Sequence, residues 1–463
     1  MSLAALGLSE AAADIREGRI TSAELVADCL ARIDEVDAEV QAWTFLDRDH
    51  AQRQAEDADA WRKQGKPTGP LHGVPVAVKD IFDTGDMPTE YGSPLWAGHT
   101  PRRDATTVAR LRAAGAVILG KTVTTEFAYF HPGKTRNPHD PARTPGGSSS
   151  GSAAAVAANM VPGALGSQTN GSVIRPAAFC GVVGFKPTHG LIPRSGVLTL
   201  SRTLDHVGVF ARSVEDAALL AEPLAGYDEE DPDTRPIARP PLAAVAASEP
   251  PLPPRFAFMR GPLWEQAEPV TRDAFGELIP ALGDAVSELD IGPSLAQAID
   301  LHRIIMEVEM AHNLRRDYDN GADKLSPTLR SLIERGRGYA AVDYMRAVAL
   351  IETMNAALDS VFDEFDAILA PAAPGEAPRG LEKTGNPVFC TTWTYLGTPA
   401  VTLPLMQSPA GLPLGVQLIA RRGNDARLLR TARWLVRALG KKTRGRVGAT
   451  GAAPDAARSR KRK

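Results

Sequence analysis

The chain has 463 residues, 43% of them hydrophobic, and its 52 basic and 55 acidic side chains leave a formal charge of −3. That length buries a large core and accommodates two or three ordinary domains or one oversized α/β domain. The balanced charge supplies no global field for nucleic acid or an anionic membrane, and no apolar run approaches the ~18 residues a membrane span requires.

The segment MSLAALGLSE has no basic region ahead of its apolar stretch, so the expected location is cytoplasmic. Cys29, Cys180 and Cys390 lie far apart in apolar surroundings without CxxC or zinc spacing, which reads as buried thiols. Ser9 to Ile20 predicts a short helix stopped at Gly18, and Thr21 with Glu24 forms a capping-box pattern opening a second. Leu25, Cys29 and Ile33 give that second helix one apolar face. A polar helix, His50 to Gln64, ends at Gly65. Val74 to Val78 reads as a buried strand that delivers Lys79 at its end.

A helix over Asp104 to Ala114 and a strand over Ala116 to Leu119 follow. Gly115 to Thr122, GAVILGKT, satisfies the pattern GxxxxGK[ST] of a phosphate-binding loop. The four intervening residues, Ala116, Val117, Ile118 and Leu119, favour the strand itself, so the glycine-rich loop is missing and nucleotide binding is rejected.

Thr144 to Pro187 is rich in glycine, alanine and serine and nearly free of charge. Small residues let backbone approach backbone or ligand, and serine supplies nucleophiles and donors, which is how acyl-transfer sites are commonly assembled. The helical run Ala153 to Ala158 and the apolar segment Phe179 to Phe185 argue against a flexible linker. Gly147 to Gly151, GSSSG, matches a nucleophile elbow centred on Ser149, but the elbow needs a strand entering it. Thr135 to Gly146 is polar and broken by Pro138, Pro141 and Pro145, so it enters as a loop.

Ser213 caps a helix ending at Gly226, and the acidic, proline-rich stretch to Pro254 reads as a surface loop. Phe256 to Phe365 resumes with a strand, FAFM, and long mixed helices. Strands at Ala367 to Ala370, Ala400 to Leu403 and Gly415 to Ile419 precede a helix over Asp425 to Leu439. Such alternation predicts an α/β sheet. Residues 441–463 mix basic residues with Gly and Ala, the composition of a disordered tail.

GVPVAVKD at Gly73 to Asp80, GGSSSGSAAAVAA from Gly146 and GSQTNGSVIRPAAFCGVVGFKPTHG from Gly166 together resemble the amidase signature family of serine hydrolases. The resemblance runs from about Thr21 to Leu439. It implies one amidase-signature domain over residues 1–440, with a central mixed twisted sheet flanked by helices on both faces. The core blocks are then about 70–225 and 366–440, around a variable middle region, 256–365. By position, the family's Ser-Ser-Lys triad falls on Lys79, Ser148 and Ser172, with Ser172 as nucleophile and Ser148, held after a cis peptide, as proton relay. The backbone N–H groups of Thr169, Asn170, Gly171 and Ser172 become the oxyanion hole.

Two positions depart from the pattern: Gln168 stands where many members carry aspartate, and Asn170 where they carry glycine. Arg175, three residues past Ser172, either binds a substrate carboxylate or braces the loop; Ser150 and Asp80 are candidate supports. The implied activity is hydrolysis of a small-molecule carboxamide to acid plus ammonia or amine, with no metal or organic cofactor and no nucleic-acid or membrane partner; a homodimer stays open. The alternatives are the A subunit of a tRNA-dependent amidotransferase and an inactive scaffold. Intact Lys79, Ser148 and Ser172 argue against the scaffold, and the SQTNGSVIRP block with its divergent middle region argues against the amidotransferase.

Overall fold

In the computed structural model, which describes residues 2–260, 263–290 and 293–449, an 11-stranded mixed sheet runs through the molecule. In chain order its strands are β1 (Trp43–Phe45), β2 (Pro75–Lys79), β3 (Val117–Thr122), β4 (Gly163–Gln168), β5 (Val183–Lys186), β6 (His206–Ala211), β7 (Phe256–Arg260), β8 (Val286–Asp290), β9 (Ala367–Pro371), β10 (Ala400–Gln407) and β11 (Pro413–Ile419). Their spatial order is β1-β3-β2-β4-β6-β5-β10-β11-β9-β7-β8. Parallel pairs β3/β2/β4 and β9/β7/β8 flank an antiparallel centre. The mixed sheet expected from the sequence is therefore present.

Successive residues of a strand face opposite sides of a sheet, and β4 shows helices on both. A side chain at Gly163 would strike Leu8 and Leu220, on the helices Leu8–Glu17 and Val214–Ala221. One at Gly166 would strike Ser149, at the start of helix Ser150–Ala157. These neighbours sit too close for a Cβ, so positions 163 and 166 are held to glycine, and the strand's low β-propensity hid it from the sequence reading. β1, β5, β6 and β8 were likewise not predicted as strands.

Local signals hold where they are self-contained. Gly18 takes φ 73° as the C-cap of the first long helix, and Thr21 and Glu24 form a complete capping box on helix Ser22–Val40. β3 runs on through Gly120, Lys121 and Thr122, so the apparent phosphate loop is strand from Val117 onward. The stretch expected to be a surface loop, up to Pro254, is corrected in part. It contains the helix Leu242–Ala247, with Leu242 and Ala246 fully buried, and Asp231 is drawn inward by an ion pair to the part-buried Arg194 at 2.8 Å. The last helix spans Asp425–Ala449, past the expected end at Leu439 and into the expected tail. Residues 450–463 of that tail lie outside the described residues.

Candidate active site

All five residues of β2 are buried, and the strand ends by carrying Lys79 into the core. There Nζ lies 2.7 Å from Ser148 Oγ and 2.9 Å from Ser167 Oγ. Among the described residues no carboxylate comes within ion-pairing distance. Burial therefore holds the Lys79 pKa well below the ordinary lysine value, opposed only by the more distant charge of Asp205. Ser167 was missed by the sequence reading. It sits on β4, whose Leu165 pairs with Val78 of β2, so the signal available was its place in the GSQTNGS block one strand away from Lys79.

The bond between Gly147 and Ser148 is cis, as the resemblance implied. Ser148 and Ser172 line one small pocket with Thr169, Asn170 and Arg175, walled by Phe130, Leu200, Met306 and Met310. No hydrogen bond joins the two hydroxyls among the described residues. Ser149 is excluded from this pocket: it is fully buried, donates to Ser167 O and accepts from Ser167 N, which leaves the elbow reading without an exposed nucleophile.

β4 leads directly into the loop that carries Ser172. Among the described residues, none accepts a hydrogen bond from the backbone N–H of Thr169, Asn170, Gly171 or Ser172. The next N–H groups are occupied: those of Val173 and Ile174 reach Gln168 Oε1 at 2.8 and 3.0 Å, and that of Arg175 reaches Gly171 O at 2.9 Å. Gln168 thus accepts the first donors of helix Ile174–Cys180 through a neutral amide oxygen, and its Nε2 donates to Thr394 Oγ1 at 2.9 Å. Asn170 is turned aside, its Oδ1 accepting from Thr391 Oγ1 at 2.7 Å. Thr169 Oγ1 donates to Asp205 at 2.6 Å. Such a row of undonated N–H groups has the chemistry to bind an oxyanion.

Arg175 divides its guanidinium. Nη2 donates to Gly147 O at 2.7 Å and Thr384 Oγ1 at 3.2 Å, bracing the peptide ahead of Ser148, while Nε and Nη1 have no protein acceptor. It is buried, its pKa lowered to about 10 by desolvation, and its Cζ lies 5.7 Å from the centre of the Phe130 ring. Of the two candidate supports, Asp80 ion-pairs with buried Lys121 at 3.2 Å, and Ser150 Oγ donates to Val123 O. Cys29, Cys180 and Cys390 are buried free thiols.

A family model for amidases matches residues 24–429. The chain belongs to that family, and with it to the hydrolases that act on carbon–nitrogen bonds. It is 37% identical over 481 residues to the A subunit of glutamyl-tRNA(Gln) amidotransferase from Anaeromyxobacter sp. (strain K), covering 95% of this chain and 97% of the relative. It is 36% identical over 456 residues to the "Putative amidase AmiD" of Mycobacterium tuberculosis, covering 93% of both. The solved structure of native peptide amidase from Stenotrophomonas maltophilia superposes with a TM-score of 0.80 at 29% identity, over 95% of this chain and 97% of that one. No helix among the described residues is long and apolar enough to cross a membrane.

Proposed function

We propose that the protein is an amidase that hydrolyses a small carboxamide through an acyl-enzyme on Ser172, with Ser148 and Lys79 as proton relay and base. The observation that carries this reading is the contact of Lys79 Nζ with Ser148 Oγ in a buried pocket without a carboxylate partner, beside four undonated N–H groups. A neutral amine has two hydrogens and one lone pair. Donating one hydrogen to Ser167 Oγ leaves the lone pair to take the Ser148 proton.

As Ser172 Oγ bonds to the substrate carbonyl carbon, its proton passes to Ser148 Oγ, whose own proton passes to Lys79 Nζ. The carbonyl oxygen, now negative, is received by the N–H groups of Thr169 to Ser172. Return of the proton through Ser148 to the leaving nitrogen lets the carbon–nitrogen bond break, and water then repeats the relay to free the acid. Arg175 supplies substrate selection. A buried guanidinium with two unpartnered nitrogens and no ion pair favours an acyl group that carries a carboxylate.

A fluorophosphonate should add covalently to Ser172 and not to Ser172→Ala; mass spectrometry that places the adduct on another serine overturns the assignment. A second reading, the glutaminase component of an amidotransferase, is favoured by the 37% identity to the Anaeromyxobacter amidotransferase chain over nearly the full length of both. That likeness removes the force of the SQTNGSVIRP block as an argument against it. Ammonia release from amides by the isolated chain supports the amidase; glutamine hydrolysis that requires added partner proteins supports the other.

A further inference from the structure

Three successive carbonyls of the loop before Ser172 are each held by a different donor. Thr169 O accepts from His302 Nε2 at 2.8 Å, Asn170 O from Thr394 Oγ1 at 2.5 Å, and Gly171 O from the N–H of Arg175 at 2.9 Å. The only cis bond among the described residues is Gly147–Ser148, so these peptides are trans. In a trans peptide the C=O and the following N–H point in opposite directions. Pinning each carbonyl on its outer side therefore turns the N–H groups of Asn170, Gly171 and Ser172 away from their anchors.

The three anchors differ in origin. Arg175 N makes an ordinary first-turn bond, available to any helix starting here. Thr394 lies on the buried helix Val388–Tyr395. His302 comes from Gln297–Asn313, in the middle region, with 1% of its surface exposed. Met306 and Met310, one and two turns further along that helix, wall the pocket onto which Ser148 and Ser172 open. The face that shapes the pocket is thus the face that holds the loop. Thr169 O can only accept, so Nε2 carries the hydrogen, and burial keeps the imidazole neutral by lowering its pKa to about 4.

We propose that His302 is a positioning residue for the oxyanion hole, fixing the Thr169–Asn170 peptide so that the Asn170 N–H faces the reacting oxygen. This rests on the hole assigned above. It also means that the middle region sets rate as well as substrate access, through one hydrogen bond.

The test uses the full chain with His302→Gln and His302→Phe. Glutamine carries an amide N–H that reaches close to the position of Nε2, whereas phenylalanine fills the volume without a donor. Expected for His302→Phe is a fall in kcat of about 10- to 100-fold with KM little changed, less than the loss of a hole donor outright. A boronic acid that forms a tetrahedral adduct should weaken by a similar factor, and His302→Gln should recover most of both. A folded His302→Phe with wild-type kcat and boronate affinity overturns the proposal. So does a Gln variant that loses as much as Phe, because a packing role ranks them the other way. Should His302→Phe not fold, His302→Asn, whose amide is too short to reach Thr169 O, takes its place against Gln. Labelling of Ser172→Ala by fluorophosphonate is run alongside. If it persists, the site assignment fails; if it vanishes while the His302 variants behave as wild type, only the role of His302 fails.

Discussion

Lys79 and Lys121 occupy adjacent positions on neighbouring parallel strands, Lys79 opposite Thr122 and Lys121 opposite Val78, and neither exposes any surface. Their surroundings diverge because they face opposite sides of the sheet. Lys121 Nζ donates to Phe82 O, Pro88 O and Thr89 Oγ1 and pairs with Asp80. Lys79 meets two hydroxyls and no acid. Burial lowers both pKa values, but Asp80 works against it at Lys121 and only distant Asp205 does so at Lys79. Desolvation alone therefore does not distinguish the two amines. What separates the two sites is whether a carboxylate accompanies the buried amine.

The largest effect that would test this contrast is expected for Lys79→Met, with kcat reduced by about 10⁴-fold or more and the fold retained, because in the proposed mechanism base and relay act as one unit. Near-normal turnover in that variant would remove the distinction between the two lysines. Lys121→Met should do the reverse. Leaving Asp80 buried without its cation costs about 3–5 kcal/mol, read as a lower Tm, while kcat of the folded fraction stays within about tenfold. Equal kinetic damage from both substitutions would show that the ends of β2 and β3 act as a single site.

Arg175, a third buried cation, sharpens the comparison from the substrate side. Arg175→Ala should raise KM for amides bearing a carboxylate by about 10- to 100-fold and leave neutral amides nearly unchanged. A uniform loss across substrates, accompanied by a lower Tm, would mean that its bond to Gly147 O is its whole role. Smallest is the pH response. In the proposed mechanism neutral Lys79 is the competent form, so kcat/KM should rise about tenfold per pH unit below its lowered pKa and level above it. Between that pKa and about 10.4 the unfolded chain binds the extra proton, so this group's contribution to stability also rises with pH. A flat profile in Ser167→Ala, set against a sloped wild type, would show that the hydroxyl pair tunes the amine.

Much of the site was legible because its parts are contiguous blocks. Lys79 follows a valine-rich run, and Ser148 and Ser172 sit in one glycine- and serine-rich stretch. The strand feeding Ser172 was not legible. GALGSQ has weak β-propensity, and its glycines answer to Ser149, Leu8 and Leu220, residues it meets only after folding. Gln168 posed a related difficulty. It stands where many members carry aspartate, and its neutral oxygen accepts from two backbone donors once helix Ile174–Cys180 starts beside it.

From the chain alone followed the family, through the contiguous blocks around Lys79, Ser148 and Ser172, and helix caps such as Thr21 with Glu24, since each block or cap rests on residues a few positions apart that act locally. Tertiary structure decided which hydroxyls meet Lys79, which lysine keeps a counter-ion, and which way the peptides before Ser172 turn. Ser167 lies 88 positions from Lys79 and His302 133 from Thr169. Desolvation and donor direction are set by such distant neighbours, and no local pattern encodes them.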